Sequence, residues 1–334
     1  MDYETTFKET LKKRLEEKGL SASSIRLYLR NLEKLNDDMP LKNLNFLKDI
    51  KNVQAKLTDY KENTKRGYLI SITSALSTDK ETKPKQKLYE AYYNLMTAKN
   101  KELKAKEATN TMSETQAKNW ITWDQVTEKI KDLAEKVSKF KDAKELNEHN
   151  YNTLLSYMIL ALYYYMPPRR NMDMQKLVVV KKDHPDLPIT SNYIALDDKE
   201  LVYNVFKTAR KEGQQKERIP EDLMKIVNVY LKHHPYFKLH PISKMKKSEN
   251  NTNQPFLVYF NGKPLDKVNS ITRILNKIFG KAVASSMLRH SYLTHKNGPA
   301  LESMKETAKA MGHSVPTAMT YVKTNAPVLE ISEL

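Results

Sequence analysis

SSMLRHSYLTHKNG at Ser285 to Gly298, followed by ETAKAMGHSVPTAMTYVK at Glu306 to Lys323, places Arg289, His313 and Tyr321 in two short segments joined by an apolar pattern of helical period. A lone arginine, histidine or tyrosine says little. An ordered set of three with helix between them is more specific than any one of them. The ordinary alternative is a set of unrelated helix residues, with Tyr321 a packing aromatic and His313 a satisfied histidine.

The rest of the chain bounds what such a set can do. Its 334 residues exceed one average domain, and 40% hydrophobic content is enough for two cores. Lysine and arginine number 57 against 40 acidic residues, a net charge of +17, which points to a polyanionic partner. No cysteine is present, which removes disulfides, thiol nucleophiles and thiolate metal sites from consideration. Only 7 glycines occur, and neither G-x-x-x-x-G-K-[ST] nor G-x-G-x-x-G is found, which disfavours a nucleotide-driven enzyme. The charged start MDYETTFKETLKKRLEEKG and the lack of a long apolar run lead to the expectation of a soluble, intracellular protein with no membrane partner.

Read in order, the first hundred residues predict a helical module. Phe7, Leu11 and Leu15 recur at helical spacing, Gly19 stops that helix, and the serines at 21, 23 and 24 offer caps to a second helix through Ile25, Leu29, Leu32 and Leu35. Further helices are expected at Val53 to Glu62, from an Asn63–Thr64 cap through Leu76, and at Gln86 to Lys104. The polar run from Lys99 to Lys118 marks a linker. The expected organisation is 1–105 helical module, 106–118 linker and 119–334 second domain with a tail. Thr122 is placed to cap a helix from Asp124 to Phe140, with Trp120 and Trp123 as packing residues. Tyr151 to Tyr165 is apolar most of the way round, as a central buried helix would be.

Met166-Pro167-Pro168 stops that helix, and Arg169-Arg170-Asn171-Met172-Asp173 follows. From Leu177 the pattern turns to β-branched and aromatic residues, predicting a small antiparallel sheet of about three strands whose last hairpin carries Lys207 and Lys211. Glu221 to Leu231 reads as helix, 238–255 as loop, Phe256 to Phe260 as strand, and Asp266 to Ile278 as helix. The fold class is mainly α with a small antiparallel sheet. His233 and His234 lack a third ligand at a persuasive spacing, so no metal or other cofactor is expected.

The segments Leu288-Arg289-His290-Ser291 and Met311-Gly312-His313-Ser314, with Tyr321 eight residues beyond His313, resemble the C-terminal signature of the tyrosine recombinases (phage-type integrases). LSASSIRLYLRNLEKL followed by NTKRGYLISITSAL resembles their core-binding module. The resemblance implies a helical core-binding domain and a catalytic domain that grip double-stranded DNA, and a metal- and ATP-independent strand exchange through a 3′-phosphotyrosine. It implies catalytic roles for Arg170, Lys207, Arg289, His313 and Tyr321, with Arg169 and Lys211 as the alternatives for the first arginine and the lysine. Asp173 would hold the arginine. A tetramer on two duplexes, with a C-terminal tail docked on a neighbouring protomer, is also implied. Ser286 stands where most members carry a histidine, leaving His290 or water as the base. Type IB topoisomerases share this chemistry, and an impaired member that only binds DNA is a third alternative. The lysine- and asparagine-rich composition suggests, by analogy, a mobile element or large DNA virus.

Overall fold

The computed structural model describes residues 6–79, 82–108, 111–183, 185, 187–241, 251–267 and 269–321. The chain divides into two compact units, Met1–Met112 and Ser113–Leu334.

The first unit is built of helices. Thr6 and Glu9 form a reciprocal capping box that starts α1 (Phe7–Glu17), and Gly19 follows its end at φ 73°. Ser21 accepts from the Ser24 N–H and so starts α2 (Ala22–Leu35). After a 3₁₀ turn at Asn45–Lys48 come α3 (Ile50–Lys56), α4 (Glu62–Leu76) and α5 (Lys83–Ala108). The helix expected over Val53 to Glu62 thus ends at Lys56, and the next starts from an extended Lys61 ahead of the expected Asn63–Thr64 cap. Leu11, Leu15, Leu32, Ile72 and Tyr92 form the centre of this core, and the Tyr92 hydroxyl donates to the Leu47 carbonyl at 2.8 Å. Much of the polar run assigned to a linker is helical, since α5 continues to Ala108 and α6 (Glu114–Asn119) begins on a Ser113–Gln116 capping box.

In the second unit Thr122 and Gln125 form the capping box of α7 (Trp123–Ser138). The central helix α8 (Glu148–Tyr165) buries nine side chains between Tyr151 and Tyr163. Beyond it lie α9 (Asn171–Gln175), β1 (Leu177–Val180), β2 (Asn192–Ala195), β3 (Glu200–Tyr203), α10 (Ala209–Glu212), β4 (Gln215–Arg218), α11 (Glu221–His233), α12 (Pro235–Leu239), β5 (Asn251–Pro255), α13 (Ser270–Phe279), α14 (Ser285–Ala310) and α15 (Val315–Tyr321). Tyr151 and Tyr230 lock α8, α11 and the segment after β5 together. The Tyr151 hydroxyl donates to the Val258 carbonyl (3.2 Å), and the Val258 N–H donates to the Tyr230 hydroxyl (3.1 Å).

The sheet has five strands in the order β4-β3-β2-β1-β5 and is mixed, because β1 and β2 run parallel while the other pairs are antiparallel. This corrects the expectation of about three antiparallel strands. A strand was expected at Phe256 to Phe260, yet the ladder forms on β5 immediately before it. β5 is an edge strand that needs only its backbone on β1, so the polar sequence NTNQP and its terminal proline are tolerated there. The apolar tail Val328 to Leu334 lies outside the described residues.

Candidate active site

The corner after α8 distinguishes its two arginines. Arg169 is spent on the fold. Its side chain is only 13% exposed, its Nε lies 3.4 Å from Asp173 Oδ2, and one terminal nitrogen donates to Gln215 and Glu217, each at 2.9 Å. The guanidinium also lies 3.8 Å above the Tyr203 ring centroid and 5.1 Å from that of Phe206. Arg169 therefore ties the corner to β3 and β4. Arg170 occupies the N-cap position of α9, half-buried, and among the described residues its guanidinium has no hydrogen-bond or ion-pair partner. Asp173 was expected to hold Arg170. Its carboxylate pairs with Arg169 instead, and only its backbone N–H meets the Arg170 carbonyl, at 3.0 Å. Burial pushes the Asp173 carboxyl above the usual carboxylate range, against the pull of Arg169 and Arg170.

Arg289, in the second turn of α14, reaches the same region. The meeting point is Tyr163, fully buried at the end of α8, whose hydroxyl is pushed up by burial and by Asp173 and pulled down by Arg289 and by a hydrogen bond with Ser285. That hydroxyl donates to Asn171 Oδ1 at 2.9 Å, and Asn171 Nδ2 donates to Thr272 on α13 at 2.8 Å. Ser285 and Arg289 are one helical turn apart, so both look toward Tyr163. Arg289 Nε is buried and, among the described residues, has no hydrogen-bond partner. An orphaned guanidinium donor close enough to Tyr163 to act on its hydroxyl is suited to an anion.

Lys207 lies in the turn between β3 and β4, just ahead of α10, and is exposed. The strands form the expected hairpin, paired from Glu200↔Arg218 to Tyr203↔Gln215. Lys211 is also exposed and faces its neighbour Glu212 at 3.7 Å. Ser286 and His290 are exposed on α14, one turn apart, on the side away from the buried Ser285, Leu288 and Ser291.

His313 and Tyr321 form a second cluster. His313 follows Gly312 (φ 72°) in the turn after α14, and its ring stacks on that of Tyr321 with centroids 5.5 Å apart. Tyr321 is 61% exposed. Between the clusters α14 runs unbroken for 26 residues, with Pro299 inside it. At about 1.5 Å per residue, Arg289 and Ala310 are roughly 30 Å apart along the axis. The chain thus gathers Arg170, Arg289 and the corner around Tyr163, and holds His313 with Tyr321 at the far end of α14.

No protein-family model matches the chain, and no curated protein matches its sequence. Among solved structures it is similar to a crystal structure of XerA recombinase at 14% identity and a TM-score of 0.31, over 95% of this chain and 94% of that one. A likeness that low assigns no role to any residue.

Three polar residues at this site have no place in the sequence pattern that drew attention to it. Tyr163 and Asn171 were hidden because their neighbours, the Tyr163–Tyr165 run and the arginine pair, dominate the local sequence. Asn192, fully buried at the start of β2 with its Nδ2 donating to the Asp173 carbonyl at 3.0 Å, had a visible signal, since an asparagine opening an otherwise apolar strand needs a reason to be buried.

Proposed function

We propose that this chain is a DNA strand transferase of the tyrosine recombinase type, which breaks and rejoins duplex DNA without metal or ATP. The observation that carries this is the buried Nε of Arg289, unpartnered among the described residues and close to the Tyr163 hydroxyl that Asn171, the residue after Arg170, holds, in a chain of net charge +17. Two guanidiniums that never lose their charge would grip the non-bridging oxygens of one phosphate and offset the charge that builds on it. Tyr321 would attack phosphorus and keep the bond energy as a 3′-phosphotyrosine, so that the reverse attack can reseal the strand. His313 would donate a further hydrogen bond, and Lys207 would give its proton to the departing 5′ oxygen. With Ser286 at the position of the usual histidine, the phenolic proton would pass to His290 or to water. The working assembly would be a tetramer on two duplexes.

The separation along α14 requires that the nucleophile be brought to the arginines. Gly298–Pro299 supports a bend as one route, since proline removes a helical N–H and crowds the preceding turn. Delivery of Tyr321 to the arginines of a second copy is the other route. A second reading, a DNA-binding protein that does not cut, is favoured by that same separation and by Ser286.

The test is a nicked duplex incubated with the protein in EDTA, with denaturing gels and mass spectrometry to detect a covalent adduct. An adduct on Tyr321, absent from Tyr321→Phe, is the expected result. Tight binding with no adduct on any of a broad set of sequences would overturn strand transfer and leave the binding protein.

A further inference from the structure

The turn that bears Lys207 has little packing of its own, since Lys207 and Thr208 are both exposed. Besides the packing of Phe206 under the Arg169 guanidinium, a buried amide holds it. Asn192, the first residue of β2, is 0% exposed. Its Oδ1 accepts from the N–H groups of Asn204 (2.8 Å) and Val205 (2.7 Å), while its Nδ2 donates to the carbonyls of Val205 (2.9 Å) and Asp173 (3.0 Å). Both donors and both acceptor positions of the side chain are therefore used. One end of this amide holds the backbone two and three residues ahead of Lys207, and the other holds α9, the helix that opens at Arg170. Asn204 extends the connection. Its Nδ2 donates to the Ser191 carbonyl (2.8 Å), and its Oδ1 accepts from Gln214 (2.7 Å) on the far side of the turn.

We propose that Asn192, seconded by Asn204, is a positioning residue that sets where the Lys207 ammonium stands relative to the phosphate held by Arg170 and Arg289. This rests on the strand-transfer reading. An apolar residue would fill the start of β2 without the need for four matched partners, and a general acid must sit within hydrogen-bond reach of the atom it protonates. A displacement of about 1 Å costs about 10²-fold.

The chemistry supplies a readout that loss of fold would not mimic. When the Tyr321 oxygen bonds to phosphorus, the bond from phosphorus to the 5′ oxygen breaks, and that oxygen leaves with the electron pair and takes a proton from Lys207. If the 5′ bridging atom is sulfur, the leaving group is a thiolate, which departs without that proton. Cleavage of matched 5′-oxygen and 5′-sulfur nicked duplexes would be timed for wild type, Lys207→Ala, Asn192→Ser and Asn204→Ala. Lys207→Ala is expected to lose about 10²–10⁴-fold on oxygen and to recover on sulfur. Asn192→Ser and Asn204→Ala are expected to lose about 10–10²-fold on oxygen and to cleave sulfur within a few-fold of wild type. Equal losses on both substrates would overturn the proposal and make Asn192 a support of the fold alone. Asn204 is only half-buried, so Asn204→Ala decides the matter should Asn192→Ser not fold. If wild type cleaves neither duplex, strand transfer itself fails, and the inference fails with it.

Discussion

His234 makes the stability of the second unit depend on pH in a way that can be worked from its surroundings. It follows α11, is almost fully buried, and has both ring nitrogens engaged, with Nε2 3.1 Å from the Pro255 carbonyl and Nδ1 accepting from the Tyr236 N–H at 3.2 Å. Only the neutral ring with its proton on Nε2 satisfies both contacts. Burial pushes the imidazole down from 6.5 to about 4, although the carbonyl bonds favour the charged form. The unfolded chain takes up this proton near pH 6.5 while the folded chain resists it until about pH 4, so stability is fully present above 6.5 and is lost as pH falls through that window. A gap of roughly 2.5 units at about 1.36 kcal/mol each gives about 3 kcal/mol. The protein has two tryptophans, Trp120 and Trp123, both in the second unit, so their fluorescence during urea unfolding reports that unit. His234→Gln keeps a donor for Pro255 and removes the titration. The stability advantage of wild type over His234→Gln is expected to narrow by about 3 kcal/mol between pH 7.5 and pH 4. A difference that stays constant over that range would refute the assignment of a buried neutral imidazole.

The corner arginines should separate stability from chemistry. Arg169→Ala leaves Asp173 buried without its partner and is expected to cost about 3–5 kcal/mol in urea unfolding. Arg170→Ala should change stability by less than about 1 kcal/mol, as half-exposed substitutions usually do, yet abolish adduct formation on the nicked duplex. Mixing Arg289→Ala with Tyr321→Phe, each inactive alone, asks how the two ends of α14 meet. Adduct formation by the mixture is expected if Tyr321 serves a second copy, whereas silence from the mixture beside an active wild type assigns the bend at Gly298–Pro299.

Capping chemistry made several helix ends legible. Ser21, Thr122 and the glycine at 19 announce themselves because a side-chain oxygen or a residue tolerant of positive φ is needed there whatever the tertiary context. The central α8 was equally plain, being apolar around most of its circumference. Strand order was not, because periodicity tells which residues face a core and not which strand lies beside which. β5 was hidden for a related reason, since an edge ladder is made of backbone groups and places little demand on side chains. At the corner, spacing alone does not reveal that Arg169 is engaged by Asp173, Glu217 and Tyr203. The partner of Asp173 was misread because residues four apart on this turn approach each other better than the spacing alone suggested. Nothing in the motif reveals that Gly298–Pro299 stays within one helix, since a proline there is compatible with a kink, a break or a continuous rod.

The position of β1 between β2 and β5 also bears on how the protein is made. The helices of the first unit contact only one another within the first 112 residues among the described pairings, so that unit can be complete while the ribosome is still at work on the remainder. The sheet cannot follow that schedule. Val178 waits for Pro255 to emerge, with β2, β3, β4 and three helices intervening, and until then one side of β1 is an open row of donors and acceptors. Slow, chaperone-sensitive maturation is therefore expected of the second unit, with fragments that stop before Pro255 prone to aggregate through that open edge.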